Sequence, residues 1–169
     1  MTMKKLLVFL CLVFLTGHLF AQDNLVNLIN PNIPPYRILT TDSVYVTSAN
    51  LKKNTRVMIV YFSPDCPHCQ HFVTELKPKM KALGDTQVIL ITWSLNYDIR
   101  AIKAFYKEYG LAAYPNITVG TEGYTYKVKN YYHLTSTPFI AIYNRNGKMT
   151  TYFDKPPKVD DVIAAVKKV

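Results

Sequence analysis

Cysteine is scarce. The chain has three in 169 residues, Cys11, Cys66 and Cys69, too few for the dense disulfide framework of a small secreted scaffold. Acid is scarce as well, with 11 Asp and Glu against 20 Lys and Arg. The excess base is not gathered into one tract. It falls in separate sets, Lys77, Lys79 and Lys81, then Lys103 and Lys107, Lys127 and Lys129, Lys167 and Lys168. That spacing belongs to solvated helix faces and excludes a nucleic-acid-binding stripe, while leaving a mild attraction to acidic partners or an anionic membrane surface. There is no internal repeat and no low-complexity segment, so repeat arrays and biased linkers are excluded. The longest apolar run, Leu6 to Phe20, is interrupted by Gly17 and His18 and falls short of the roughly 20 residues of a spanning helix.

That run follows Lys4 and Lys5 and ends at Ala21, before polar Gln22-Asp23-Asn24. A positive start, a short apolar segment and a small residue at the break make residues 1–21 an export signal. The alternative is a retained membrane anchor. Cleavage after Ala21 removes Cys11 and two basic residues and leaves Cys66 and Cys69 as the sole sulfur pair. The expected location is then periplasmic or otherwise extracytoplasmic. The chain is 49% hydrophobic and 18% charged, which is globular composition, and it is long enough to bury a core without staples. We expect an extended, proline-rich lead-in at residues 22–35 and one domain at 36–169.

Within that domain, Tyr36–Thr40 and Val44–Thr47 flank the polar Thr41-Asp42-Ser43, a β-hairpin pattern. Ala49–Asn54 is a polar connector. Arg56–Phe62 is apolar on both faces, as a central strand should be. Phe72, Leu76, Met80 and Leu83 then mark one helical stripe, with a kink expected at Pro78 and a stop at Gly84. Thr86–Trp93 is a second buried strand. Asp98 is placed to cap a helix carrying Ile99, Ile102, Phe105, Tyr106 and Tyr109, with Gly110 as its stop. Asn116–Val119 reads as a short strand and Tyr124–His133 as helix. Pro138–Tyr143 and Lys148–Phe153 form a hairpin across Asn144-Arg145-Asn146-Gly147. Val159, Val162, Ile163 and Val166 make the last helix amphipathic. The order predicts an α/β fold with a mixed sheet flanked by helices.

Cys66 and Cys69 fall where the first buried strand gives way to a helix. The thiolate is the attacking species, and an ordinary cysteine, with a pKa near ~8.5, is mostly protonated at neutral pH. At a first helical turn, unpaired N–H groups and the helix dipole favour the anion. Cys69, one turn on, is within reach of a mixed disulfide at Cys66. Pro67 suits the first turn, where its missing N–H has no helical partner. His68 adds a donor, and a positive charge when protonated; both residues are expected to tune the pair. A metal site built on Cys66, His68, Cys69, His71 and His133 lacks the second ligand pair of structural zinc, and copper(I) is the softer alternative. Gln70 stands where haem attachment needs histidine.

Tyr61-Phe62-Ser63-Pro64-Asp65-Cys66-Pro67-His68-Cys69 and Thr137-Pro138-Phe139-Ile140-Ala141-Ile142-Tyr143 resemble the two signatures of the thioredoxin superfamily. The front hairpin, the long segment before Pro138 and the final helix are most similar to its extracytoplasmic TlpA/ResA-type members. The resemblance implies a thioredoxin fold with an N-terminal β-hairpin and an extra strand and helix before a cis-proline. It implies Cys66 as nucleophile, Cys69 as resolving cysteine, Pro138 as the cis-proline and Thr137 as the residue that contacts substrate. The implied activity is thiol–disulfide exchange with protein thiols or disulfides, with no cofactor beyond the cysteines and with an upstream membrane or soluble redox partner. Two other readings stay open. Pro67-His68 also matches the oxidase DsbA, and a thioredoxin-fold copper(I) chaperone would use the same cysteines with a histidine. Peroxiredoxin fits less well, because Ile59 stands where that family has proline.

Two departures from the family matter. Asp65 replaces the usual tryptophan before the first cysteine. Val60 stands where thioredoxin has a buried acid that takes the resolving cysteine's proton. The acceptor for Cys69 is therefore unassigned, with Asp65, His71 and water as candidates.

Overall fold

Val57–Tyr61 (β3) lies inside a seven-stranded sheet, fully buried along its length. The computed structural model describes residues 30–93 and 99–169. The chain divides into two units, Met1–Pro31 and Asn32–Val169, and every strand and helix described belongs to the second. The expected signal, most of the lead-in and the Asp98 cap fall outside the described residues. Among the described residues no helix is long and apolar enough to cross a membrane.

The strands are β1 (Arg37–Thr40), β2 (Tyr45–Thr47), β3, β4 (Gln87–Thr92), β5 (Ile117–Thr121), β6 (Phe139–Tyr143) and β7 (Met149–Phe153). They lie in the order β2-β1-β5-β4-β3-β6-β7. β3, β4 and β5 are parallel, and the other pairings are antiparallel. The mixed sheet is the expected one, and the extra strand between β4 and Pro138 joins the front hairpin to the central strands.

Parallel neighbours need crossover helices. α1 (Pro67–Leu76) links β3 to β4, and α2 (Ile99–Glu108) lies between β4 and β5. With α4 (Val159–Lys167) they cover one face of the sheet. Met58, Val60 and Phe62 meet Cys69, Phe72 and Phe105 there, and Val162 and Val166 of α4 complete the layer. Each such aliphatic or aromatic side chain contributes about 1.5–3 kcal/mol on burial.

The opposite face is rich in tyrosine. Alternation along the strands turns Ile59, Tyr61, Phe139 and Tyr143 to this side, all buried. The short α3 (Lys127–Tyr131) and Tyr132 lie against it. The Tyr132 ring packs on Phe139 at 4.7 Å, and its hydroxyl bonds that of Tyr143. The Tyr131 hydroxyl donates to the Asn32 carbonyl at 2.6 Å, so the described end of the lead-in is tied down.

Two helices differ from expectation. The stripe from Phe72 to Leu83 is one continuous face but two conformations. α1 ends at Leu76, and Lys77–Leu83 continues as a tighter 3-10 helix. Pro78 lacks the N–H that would donate to the preceding turn, so the kink takes the form of a change in helix type. Tyr124–His133 is also not one helix. A 3-10 turn spans Gly123–Thr125, Tyr126 turns left-handed at φ 47°, and α3 follows.

Candidate active site

β3 stops at Tyr61 and the chain enters a turn closed by its own side chains. The Cys66 N–H donates to the Ser63 carbonyl at 3.1 Å. The Ser63 hydroxyl donates to Asp65 at 2.6 Å, and the Gln70 amide reaches back to the Pro64 carbonyl at 2.9 Å. Asp65 thus braces the turn. Cys66 itself is the residue that caps α1, in extended geometry, with Pro67 in the first helical turn.

The two sulfurs are unequal. Both are free thiols; Cys66 is partly exposed and Cys69 is buried. Burial pushes the Cys66 thiol up, but the donors around it outweigh that and hold it below the ordinary cysteine value. They are the backbone N–H of Cys69, the Thr137 side chain, the Cys69 thiol and the backbone N–H of His68. The N–H groups face the sulfur without closing a full cap hydrogen bond. Cys69 shifts the other way. Burial, with the neighbouring Cys66 sulfur, pushes it up to about 12, against a lowering by the Ser63 N–H.

Opposite the pair, the Thr137–Pro138 peptide is cis, and Pro138 is buried. The Cys66 thiol points at the Thr137 carbonyl oxygen, 3.6 Å away. Cys66, Cys69, Thr137 and Pro138, two groups 68 or more residues apart along the chain, therefore share one site. Pro67 and His68 lie beside it with exposed side chains, and His68 meets the Cys66 sulfur through its backbone. His71 faces outward and pairs with Glu75 at 3.3 Å. His133 is exposed, in a left-handed conformation. Among the described residues no group of three or more His, Cys, Asp or Glu side chains is arranged to hold a metal. Val60 is buried in the apolar layer, so no acid stands at that position.

Glu122 belongs to the same region and carries no local mark of it in the sequence. It is 4% exposed and accepts three hydrogen bonds: from the Tyr61 hydroxyl at 2.7 Å, the Val128 N–H at 2.8 Å and the Lys129 N–H at 3.3 Å. One carboxylate thus joins the end of β3, just before the cysteine turn, to the helix that leads to the cis-proline. Thr-Glu-Gly between a strand and a polar segment carries the local pattern of a surface turn. Only the distant partner Tyr61 marks it as buried.

A sequence profile of the thioredoxin-like domain matches residues 46–167. The chain belongs to the thioredoxin-like family. Solved structures agree with this thioredoxin-like fold. A secreted disulfide oxidoreductase of Mycobacterium tuberculosis, homologous to Escherichia coli DsbE, superposes with a TM-score of 0.67 at 18% identity, over 80% of this chain and 96% of that one. A thiol:disulfide interchange protein of Chlorobium tepidum gives 0.63 at 19% identity, over 82% and 96%. StoA of Bacillus subtilis gives 0.62 at 14% identity, over 80% and 98%. No curated protein sequence matches the chain.

Proposed function

We propose that this thioredoxin-like protein is an exported thiol–disulfide oxidoreductase of the TlpA/ResA type, exchanging disulfides with protein substrates through its Cys66-Pro67-His68-Cys69 pair. The observation that carries this reading is the asymmetry of the two sulfurs, one partly exposed and favoured as thiolate, the other buried and held as thiol. That is the division of labour an exchange reaction needs.

In the reducing direction, the Cys66 thiolate attacks one sulfur of a substrate disulfide. A Cys66–substrate disulfide forms and the other substrate sulfur leaves as thiolate, to be protonated by solvent. Cys69 then loses its proton and attacks the Cys66 sulfur. The Cys66–Cys69 disulfide forms and the second substrate thiolate departs. Two electrons pass from the protein to the substrate. The oxidising direction is the reverse, and a thiol or disulfide partner of opposite poise resets the pair. The Thr137 carbonyl and hydroxyl, beside the attacking sulfur, orient an incoming extended segment. Export is supported by the N-terminal segment of the sequence, and the Mycobacterium tuberculosis relative is itself secreted.

Cys69→Ser tests the reading. The variant should freeze a mixed disulfide between Cys66 and its partner, cleaved by reductant and absent in Cys66→Ser/Cys69→Ser. Failure to trap any thiol partner with a reactive Cys66 overturns it. The reduction potential assigns direction, with roughly −120 mV marking a DsbA-like oxidase and roughly −270 mV a thioredoxin-like reductase.

A further inference from the structure

The large apolar side chains left exposed among the described residues are Val44, Tyr45 and Tyr124, at 56%, 54% and 70%. Two of the three fall together. Val44 lines a separate pocket with Val46, Tyr106 and Val119. Tyr45 and Tyr124 both line a 420 Å³ pocket between the front hairpin and the segment after β5. The remaining wall carries two exposed cations, Arg37 and Lys127.

The Arg37 guanidinium lies 3.4 Å over the centre of the Tyr45 ring. Such stacking shields one face of the cation and leaves its N–H edge free to bind a carboxylate. Neither Arg37 nor Lys127 pairs with a carboxylate among the described residues. Glu122, at the pocket floor, turns its oxygens to Tyr61, Val128 and Lys129 instead. The corner thus presents two uncommitted positive charges between two exposed aromatic rings, the make-up of a protein-binding hot spot rather than of a solvated face.

Its position relates it to the cysteines. Thr121, on the pocket wall, is in register with Thr92 of β4, and the preceding Ile91 with Tyr61 of β3. The pocket therefore opens at the end of the sheet from which the Cys66 turn leaves. Its near wall at Thr121 is displaced from β3 by two strand spacings, about 10 Å, and Arg37 on β1 by a third, so the reach is roughly four to five residues of extended chain.

We propose that this corner is an exosite for the substrate protein, binding a segment that carries acidic side chains next to an aromatic or apolar residue while the adjoining disulfide meets Cys66. The inference rests on the disulfide-exchange reading and adds its substrate class: disulfides flanked by acidic sequence.

Two short peptides, each closed by one disulfide, test it. One carries two Glu and a Phe beside the bond, the other two Lys and a Phe. Pre-reduced protein should reduce the acidic peptide faster at low salt by roughly fivefold or more, the scale of two exposed charge pairs. The reversal Arg37→Glu/Lys127→Glu should abolish that preference, and the milder Arg37→Gln/Lys127→Gln should reduce it. Lys167→Glu/Lys168→Glu changes net charge equally. It lies at the other end of the sheet, where the Val166 carbonyl meets Arg56 just ahead of β3, and should keep most of the preference. No preference in the wild type, or an equal loss in both reversals, overturns the exosite. Thioether analogues, which cannot be reduced, separate the two hypotheses. If neither disulfide is reduced yet the acidic thioether binds through Arg37 and Lys127, exchange fails and the exosite stands. If both disulfides are reduced equally and neither thioether binds preferentially, exchange stands and the exosite fails.

Discussion

Tyr61 donates its hydroxyl to Glu122 across 2.7 Å, and both side chains are buried, at 1% and 4% exposure. A buried carboxylate is tolerated when its oxygens are saturated by donors, and removing one partner leaves the other uncompensated. Glu122→Ala, which strands Tyr61 and two backbone N–H groups, should cost about 2–4 kcal/mol in urea unfolding, and Tyr61→Phe about 1–2 kcal/mol. Equal stability of Glu122→Ala and the wild type would show that this carboxylate ties nothing together.

The cysteines should alkylate in two separated steps. The Cys66 rate should rise through a midpoint below the ordinary cysteine value, because its thiolate is favoured. In Cys66→Ser, burial still disfavours the Cys69 thiolate, so Cys69 should resist alkylation until pH is well above the ordinary cysteine value. Mass-resolved iodoacetamide labelling across pH reads both. Matching midpoints would remove the asymmetry on which the exchange mechanism depends.

His68 acts on Cys66 through its N–H. His68→Ala, which keeps that donor, should leave the Cys66 midpoint nearly in place, whereas His68→Pro, which deletes it, should raise the midpoint. A large upward shift in His68→Ala would assign the effect to the imidazole instead. Thiolate absorbance near 240 nm follows the titration.

Asp85 is gripped by Arg56 at 2.9 Å and Arg145 at 2.7 Å. These hydrogen bonds hold its carboxyl down at about 2. A depressed folded-state value stabilises the fold above the unfolded carboxylate range, near ~3.9, and that stabilisation is lost as pH falls toward 2. Asp85→Asn should therefore melt below the wild type at neutral pH, and the two melting curves should converge near pH 2. A gap that persists there would point to packing rather than charge.

Ile38 leaves no space at Gly120. A Cβ there would stand 3.0 Å from three Ile38 side-chain atoms, where β1 meets β5. Gly120→Ala should cost about 1–3 kcal/mol, and Ile38→Val in the same chain should recover part of it. Additive losses in the double variant would mean that the two sites do not touch.

What the sequence conveys well is what a single segment can carry. Val57–Tyr61 and Phe139–Tyr143 are apolar on both faces and could only be central strands. The cysteine pair announces itself by spacing and by the strand before it. What it conveys poorly depends on chain far away. Glu122 looks like a turn residue because its donors come from Tyr61 and from N–H groups of a helix not yet formed. The antiparallel docking of β1 on β5, which builds the pocket between hairpin and insertion, has no local mark. Tyr126 has nothing in its type to announce a left-handed turn, so the helix expected from Tyr124 to His133 is broken there.

Trp93 is the only tryptophan in the chain, and its ring stacks on Tyr61 at 5.6 Å, nearly parallel. The protein's intrinsic emission therefore comes from a single fluorophore resting on the tyrosine that Glu122 holds. With Tyr61 in ring contact to pass excitation to it, that emission is an optical gauge of the corner joining the cysteine strand to the insertion. It requires no label, and it registers loosening of that corner.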